Sequence, residues 1–392
     1  MIGHLISAVT GRLPIGWLQL SHNRGRLFAA IAGVAFADIL VFVQLGMLGA
    51  LTQTIITPYE LFRADIMISS ADANTLTDGS NVARSRMYQA MGVPGVKDAT
   101  PLFLANVEWL RDDGDTSTLQ TFGLSPDKPE FASPDIADRL SELRLSDRVL
   151  LDQKTRGLPA GALDNLSHDT PYPFELKGKT VWAVGTIEVG GGFSADGALV
   201  VSDQTFLDLF GNRASGAPNH ILVNVDDGLD PAVVVDRLRD ALPAAAVTVA
   251  EKSASAEADR VYQTTERPVG VIFGFGVGIG IIVGLVIVYQ VLSTDVADHL
   301  REYATFKAIG YPHRFFIGLV LEEAVVLALF GFLPAVTIAM GLYAAMSAAT
   351  GLPLAMDVPR ALAVLFGTLA ACILSGALAT RRLASADPAD LF

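Results

Sequence analysis

The sequence predicts an α-helical membrane protein with four transmembrane helices and an α+β extracytoplasmic domain inserted between the first and second helices. Apolar residues make up 51% of the chain and charged residues 18%, a balance too apolar for an ordinary soluble enzyme. The apolar residues concentrate in four runs, each long enough for the roughly 20 residues that a bilayer crossing needs. The whole net charge of −13 lies between the first two runs, in a block that is too acidic for nucleic-acid binding.

Basic residues near the spans predict the orientation. Arg24 and Arg26 precede the first span, and Arg381 and Arg382 follow the fourth. By the positive-inside rule, both termini are therefore expected in the cytoplasm (N-in, C-in). The predicted segments are a cytoplasmic-face interfacial segment (1–26), transmembrane helices (27–51, 268–292, 315–343 and 361–380), a cytoplasmic coupling helix (293–314) and a cytoplasmic tail (381–392).

The first span contains two polar residues, Asp38 and Gln44. At about 1.5 Å per residue, Asp38 lies near the middle of the membrane. A charged carboxylate at that depth costs roughly 3 kcal/mol or more unless it is protonated, paired or hydrated. Asp38 is therefore predicted to contact cargo or a proton, to pair with a residue on another helix, or to hydrogen-bond across a dimer. Gln44 is predicted to hold helices together through a hydrogen bond.

The acidic block, residues 52–252, alternates strand-like and helix-like patterns. Strands are predicted at Ala64–Ser69, Phe103–Leu110, His220–Val225 and Ala246–Ala250, and helices at Ser80–Met91 (capped by Ser80) and Asp230–Leu242 (capped by Asp230). These form two βαβ-like units, with an insert at about 130–218. Residues 253–267 are predicted to form one stalk helix continuous with the second span.

The second and third spans also carry distinctive residues. Small residues four apart allow helix backbones to approach closely. The second span has five such glycines, which are predicted to pack against the first span or against a second copy of the chain: Gly274, Gly276, Gly278, Gly280 and Gly284. In the third span, Glu322 and Glu323 are adjacent, so they project about 100° apart on the helix. Ion pairing with the coupling helix and contact with cargo are both open for them.

The coupling helix contains the most specific motif. Residues 301–311 have the sequence REYATFKAIGY, which closely resembles a segment of FtsX-domain permeases, the membrane subunits of mechanotransmitting (type VII) ABC exporters that include the MacB and DevC proteins. The C-terminal ADPADLF is similar to the DPAxLF-type ending of these permeases, although Asp38 departs from their usual apolar residue. The resemblance implies contacts with an ATPase at Arg301, Glu302, Tyr303, Ala304, Phe306, Lys307, Ala308, Gly310 and Tyr311.

The resemblance also implies a function. A DevC-like permease of the MacB/FtsX superfamily is a non-catalytic homodimer in the bacterial inner membrane, and its large domain is periplasmic. It is driven by a separate ABC ATPase, which holds ATP and Mg, so no cofactor is expected in this chain. A periplasmic adaptor (membrane fusion protein), an outer-membrane channel and membrane lipid are further implied partners. The implied activity is efflux or extraction of a lipid-like or other amphipathic cargo.

The sequence contains no GxxxxGK[ST] motif and no HExxH motif or other spaced metal pair. This agrees with ATP binding on another chain and predicts no catalytic or metal site. Three other functions remain open at this stage: a lipoprotein- or lipid-extracting permease, an FtsX-like regulator of a cell-wall hydrolase, and a membrane-anchored ligand sensor.

Overall fold

A computed structural model describes residues 24–111, 113–159, 161–164, 166, 170–298, 305 and 309–385. The described chain forms two compact units, one of residues up to 48, 272–345 and from 354, the other of residues 49–271 and 346–353. In chain order the elements are α1 (Arg24–Glu60), β1 (Ile66–Ser70), α2 (Ser85–Met91), β2 (Val96–Leu110), β3 (Thr116–Leu124), α3 (Pro134–Ala137), β4 (Arg148–Asp152), β5 (Tyr172–Leu176), β6 (Lys179–Ile187), β7 (Gly197–Ser202), α4 (Asp203–Leu209), β8 (His220–Val225), α5 (Pro231–Ala241), β9 (Val247–Glu251), α6 (Lys252–Thr265), α7 (Pro268–Asp298), α8 (His313–Thr350) and α9 (Val358–Ser385).

Four helices, α1, α7, α8 and α9, are long and apolar enough to cross a membrane. They lie where the four apolar runs predict them. The 37 residues of α1 span about 55 Å at 1.5 Å per residue, more than the ~30 Å of a hydrocarbon core. The part of α1 that follows Leu48 belongs to the second unit.

The second unit is built on a nine-stranded sheet with the order β5-β6-β4-β7-β3-β2-β8-β1-β9. Its four last strands, β2-β8-β1-β9, are paired antiparallel throughout. Because α2 joins β1 to β2 and α5 joins β8 to β9, this half is a pair of split βαβ units. The predicted α+β arrangement of two βαβ-like units is therefore present.

Side-chain alternation in β1 separates the two faces of this half-sheet. Ile66 and Ile68 pack in a core with residues of α2 and α5. Met67 points to the other face, in a core that also contains Tyr59 near the end of α1 and, at its edge, Ala256 of α6. The second unit thus has the C-terminal end of α1 and the helix α6 packed on one face of its sheet.

The other strands extend the sheet through the long strand β2. Its residues from Val96 to Leu102 pair with β8, and its residues from Phe103 pair with β3. The prediction found only the part of this strand from Phe103. It missed the first part because that part contains Pro101 and three polar residues, a composition typical of a loop. The added strands therefore begin before the predicted insert boundary at residue 130.

The predicted capping of two helices has opposite outcomes. Asp230 does cap α5, since its side chain accepts a hydrogen bond from the amide of Ala232. The prediction that Ser80 caps the preceding helix is wrong, because α2 begins at Ser85. Ser80 instead donates its amide and hydroxyl hydrogens to the carboxylate of Asp72 (3.0 and 2.7 Å). Those bonds hold residues 72–80 in a loop.

The predicted stalk is helical but not continuous with the second span. Helix α6 ends at Thr265 and α7 begins at Pro268. Proline has no amide hydrogen and disfavours helical backbone at the residue before it. The amides of Glu266 and Arg267 both donate to the Tyr262 carbonyl, which closes α6. The stalk region is therefore helix α6 followed by a break at residues 266–267, the corner between α6 and α7.

Candidate functional site

The helical unit contains a buried carboxyl group at Asp38, in α1. Only 5% of this residue is exposed. The Thr368 hydroxyl, on α9, lies 2.6 Å from Asp38 Oδ1 and 2.9 Å from the Val364 carbonyl. The other oxygen, Oδ2, has no hydrogen-bond partner among the described residues. The structure thus pairs Asp38 with a residue on another helix of the same chain and leaves one of its oxygens unused.

A cavity of about 280 Å³ lies beside Asp38. Its walls come from α1, α7 and α9 of the same unit, and almost all of its surface is apolar. Of the described residues in that lining, Asp38 is the only ionisable one and Thr368 is the only other polar one. This combination of an apolar chamber with one orienting polar group is characteristic of small-molecule sites.

Three of the glycines in the second span allow α7 to approach α1. A Cβ at Gly276 would lie 2.4 Å from the side chain of Gln44, and a Cβ at Gly280 would lie 3.0 Å from that of Val41. A Cβ at Gly284 would lie 3.1 Å from Ala37. For Gly274 and Gly278, nothing comes within 4 Å of an added Cβ, so those two glycines face open space within the described chain.

The third span places its two adjacent carboxyl groups differently. Glu323 is fully buried, whereas Glu322 is half-buried. Elsewhere in α8, the Tyr343 hydroxyl donates to the Phe42 carbonyl of α1. The ring of Tyr343 occupies the space where a Cβ of Gly46 would lie. The first and third spans therefore pack closely against each other where the ring of Tyr343 lies against Gly46.

The predicted ATPase contacts from Arg301 to Ala304 and from Phe306 to Ala308 lie outside the described residues. The two that follow are described. Gly310 has a φ of +104°, a backbone conformation that favours glycine, and Tyr311 is 42% exposed, its ring centroid 4.8 Å from that of Phe315.

On the near side of the coupling segment, the guanidinium of Arg26 pairs with the carboxylate of Asp298. This ion pair joins the start of α1 to the end of α7. It therefore connects the first span to a residue of the coupling segment three positions before the motif begins at Arg301.

The second unit has a buried polar centre at Asp259, in α6, with 2% exposure. Asp259 Oδ2 accepts hydrogen bonds from the Tyr59 hydroxyl (3.0 Å) and the Leu76 amide (2.8 Å), and Oδ1 accepts from Gln263 Nε2 (2.6 Å). Burial raises the pKa of Asp259, and these three hydrogen bonds oppose that shift. The carboxyl group thereby ties α6 to the end of α1 and to the loop after β1.

That loop is held at two further points. His220 Nε2 lies 2.8 Å from the Leu76 carbonyl, and burial lowers the pKa of this histidine. The guanidinium of Arg267, at the corner between α6 and α7, pairs with Asp78 at 2.9 Å. Helix α6, through Asp259, and the corner between α6 and α7, through Arg267, are therefore fixed to residues 72–80.

A second loop, residues 188–196, is organised by Asp152. This buried carboxylate accepts from the amides of Val189 (3.1 Å) and Gly190 (2.7 Å). Next to it, Arg156 donates to the Gly192 carbonyl (2.8 Å), and its Cγ lies 2.8 Å from where a Cβ of Gly351 would be. The connection between α8 and α9 therefore packs on the side chain that holds this loop.

Within the described residues, no group of three or more histidine, cysteine, aspartate or glutamate side chains is arranged to hold a metal ion. The geometry supports binding and mechanical connection.

Comparison with known proteins identifies part of the chain. Residues 274–388 match the protein-family model described as "FtsX-like permease C-terminal". These residues are similar to an FtsX-like permease domain. The matched range covers most of α7, the coupling segment, α8 and all of α9.

No curated protein matches the sequence. Among solved structures, the periplasmic region of MacB from Actinobacillus actinomycetemcomitans is 12% identical, with a TM-score of 0.35, covering 50% of this chain and 93% of that one. The extracellular domain of the noncanonic ABC-type transporter YknZ from Gram-positive bacteria is 11% identical, with a TM-score of 0.32, covering 45% and 90%. At these TM-scores neither likeness carries an argument about this chain.

The sequence analysis did not identify Thr368, Asp259 or Asp152. Thr368 had a weak signal as a polar residue in an apolar run. Asp259 and Gln263 are four residues apart, which places them on one helix face, but nothing in the sequence shows that this face is buried.

Proposed function

We propose that this protein is the membrane subunit of an ABC exporter, a DevC-like permease of the MacB/FtsX superfamily. In this proposal it couples ATP hydrolysis by a separate ATPase to movement of its extracytoplasmic domain, which drives efflux or extraction of a lipid-like or other amphipathic cargo. The observation that carries the proposal is the FtsX-like match at residues 274–388. That range contains the REYATFKAIGY motif between two candidate spans.

The assembly that we propose has two copies of this chain in the inner membrane, with the sheet domain in the periplasm. Two ATPase subunits bind ATP and Mg in the cytoplasm and contact the segment 293–314. A periplasmic adaptor and an outer-membrane channel complete the path of the cargo. No chemistry is assigned to this chain, which acts as the mechanical link.

Two contacts support a mechanical role for the sheet domain. The Tyr59 hydroxyl and Asp259 join the outer end of α1 to α6 at 3.0 Å in a buried site. The pair of Arg267 with Asp78 fixes the corner at the start of α7. A displacement of either helix at its sheet-domain end is therefore passed to the same loop, residues 72–80.

The test is co-purification of the full chain with the ABC ATPase encoded beside its gene. The test variant carries Tyr303→Ala and Lys307→Ala in the coupling motif. The matched control carries Tyr88→Ala and Lys97→Ala, because these two side chains are exposed on the sheet domain. We expect a stable complex with wild type and control, and loss of the complex with the test variant.

A complex that survives the Tyr303/Lys307 substitutions would contradict the assigned docking site. Failure of wild type to bind any ATPase would contradict the exporter proposal itself. Coupling is measured separately with Glu302→Ala in proteoliposomes that contain both subunits. We expect ATP hydrolysis to continue while movement of cargo stops, and unchanged cargo movement would remove the coupling role of this residue.

A further inference from the structure

The cavity beside Asp38 exists because small residues meet on three helices. Ala37 lines it from α1, Gly280 and Gly284 from α7, and Ala363, Gly367 and Ala371 from α9. An added Cβ at Gly367 would have nothing within 4 Å, so this backbone faces open space. At about 280 Å³, the volume is close to the lower end of ordinary small-molecule sites, which begin at roughly 300 Å³. The space suits one compact apolar body.

The polar wall of the cavity has a free acceptor. Thr368 has a single hydroxyl hydrogen, and two acceptors lie within reach of it, Asp38 Oδ1 and the Val364 carbonyl. Asp38 Oδ2 lies in the same lining with no donor among the described residues. As a carboxylate, Asp38 therefore presents one satisfied and one unsatisfied oxygen. A ligand that donates a hydrogen bond to Oδ2 would remove the free-energy cost of leaving this buried acceptor without a partner.

Charge selects among the donors. Among the described residues that line the cavity, none is a cation that could neutralise Asp38, and an isolated charge in apolar surroundings is costly. An ammonium group supplies a hydrogen bond and the missing positive charge together. A hydroxyl group supplies only the hydrogen bond, and charge-assisted hydrogen bonds are roughly twice as strong as neutral ones. A carboxylate ligand would be repelled.

We propose that this cavity is a binding site for a compact lipophilic amine, with its ammonium group on Asp38 Oδ2 and its apolar body between α1, α7 and α9. The site follows from the cavity and its carboxyl group alone. Only the further step, that such an amine is also cargo, rests on the proposed exporter function. Binding is therefore measured without an ATPase.

The experiment uses the full chain in lipid nanodiscs and tritium-labelled adamantylamine as the probe, with empty nanodiscs subtracted. Adamantanol and adamantane carboxylate are the competitors, because they have the same apolar body with a neutral or an anionic group. We expect the amine to bind at least about tenfold more tightly than the alcohol, and the carboxylate not to compete. Asp38→Asn keeps the shape of the side chain, so it should remove the preference for the amine and leave the two affinities similar.

The second part of the experiment fills the cavity with a larger side chain. Gly367→Leu should abolish binding of both the amine and the alcohol. Gly341→Leu is the matched control, because Gly341 also has nothing within 4 Å of an added Cβ but does not line the cavity. If Gly367→Leu does not fold, Ala363→Leu fills the same space. Thermal unfolding in nanodiscs verifies that each variant is folded.

Two results would overturn the proposal. One is an amine affinity that is the same in wild type and Asp38→Asn. The other is undiminished binding in the folded cavity-filling variant. Both are independent of the exporter proposal, since co-purification with the ATPase tests that function on the coupling segment.

Discussion

Removing the carboxyl group of Asp259 should loosen the contact between α6 and the loop after β1. In Asp259→Ala, the Leu76 amide and the Tyr59 hydroxyl lose their acceptor, and both residues are at least 96% buried. Each unsatisfied buried donor costs about 1–3 kcal/mol. A neighbouring cavity of about 330 Å³ includes Asp259 and Gln263 in its lining, so water that enters it should reduce the cost. We expect a loss of roughly 2–3 kcal/mol in the opening free energy of this contact.

Hydrogen exchange of the Leu76 amide in the full chain measures this loss directly. At about 1.4 kcal/mol per factor of ten, the expected acceleration is roughly 30- to 150-fold. Glu257→Ala is the control, since Glu257 lies on the same helix and its partner among the described residues is Arg260 at the surface. Unchanged exchange in Asp259→Ala, or equal acceleration in the control, would refute the argument.

Asp259→Asn separates the hydrogen bonds from the charge. The asparagine oxygen can take the place of Oδ2, which accepts from both Tyr59 and Leu76, and its amide can donate to Gln263 once that side chain turns over. Because the pKa of Asp259 is raised in the folded protein, ionised Asp259 lowers stability progressively as the pH rises above about 4, the ordinary aspartate value. The melting temperature of the asparagine variant, relative to wild type, should therefore be higher at pH 8 than at pH 4. A constant difference would contradict the sign of the shift.

Two glycine substitutions test the connections of the sheet domain to its helices. Gly351→Ala places a side chain on a backbone with φ +67° and against Arg156. It should therefore lower the free energy of unfolding by about 1–3 kcal/mol and make residues 346–353 accessible to protease. Gly341→Ala should change neither the stability nor the protease sensitivity. Gly270→Ala puts a Cβ 2.2 Å from the Gln263 carbonyl at the corner between α6 and α7. It should lower the melting temperature, whereas Gly274→Ala, which faces open space, should leave it unchanged.

The parts of the fold that the sequence predicts are those set by local rules. The four long apolar helices follow from length and composition alone. The elements β8, α5 and β9 lie at or within one residue of their predicted bounds, because Asp230 caps a helix that starts with Pro231 and the strands on either side are rich in β-branched residues. The errors come from tertiary contacts. Ser80 has the chemistry of a cap but binds Asp72 instead, and β2 includes Pro101 because β8 provides a partner strand.

The candidate sites also depend on tertiary contacts that the sequence does not reveal. Asp38 stands out in the sequence because a carboxyl group within an apolar span is costly. Its partner Thr368 is 330 residues away, and no periodic pattern relates positions on different helices. The cavity is still less visible, since it depends on where glycines and alanines of three helices meet.

Two of the buried carboxyl groups, Asp259 and Asp38, call for different explanations, and the number of donors around each one decides between them. Asp259 accepts three hydrogen bonds from groups of its own unit, which partly offset its cost of burial, and its role is to hold helices together. Among the described residues, Asp38 has one donor, Thr368, and a cavity beside its second oxygen. A purely structural carboxyl group in an apolar span would be better served by a second donor or by an apolar residue, since an unsatisfied buried acceptor stabilises nothing. The unused oxygen of Asp38 is therefore better explained by a ligand than by packing.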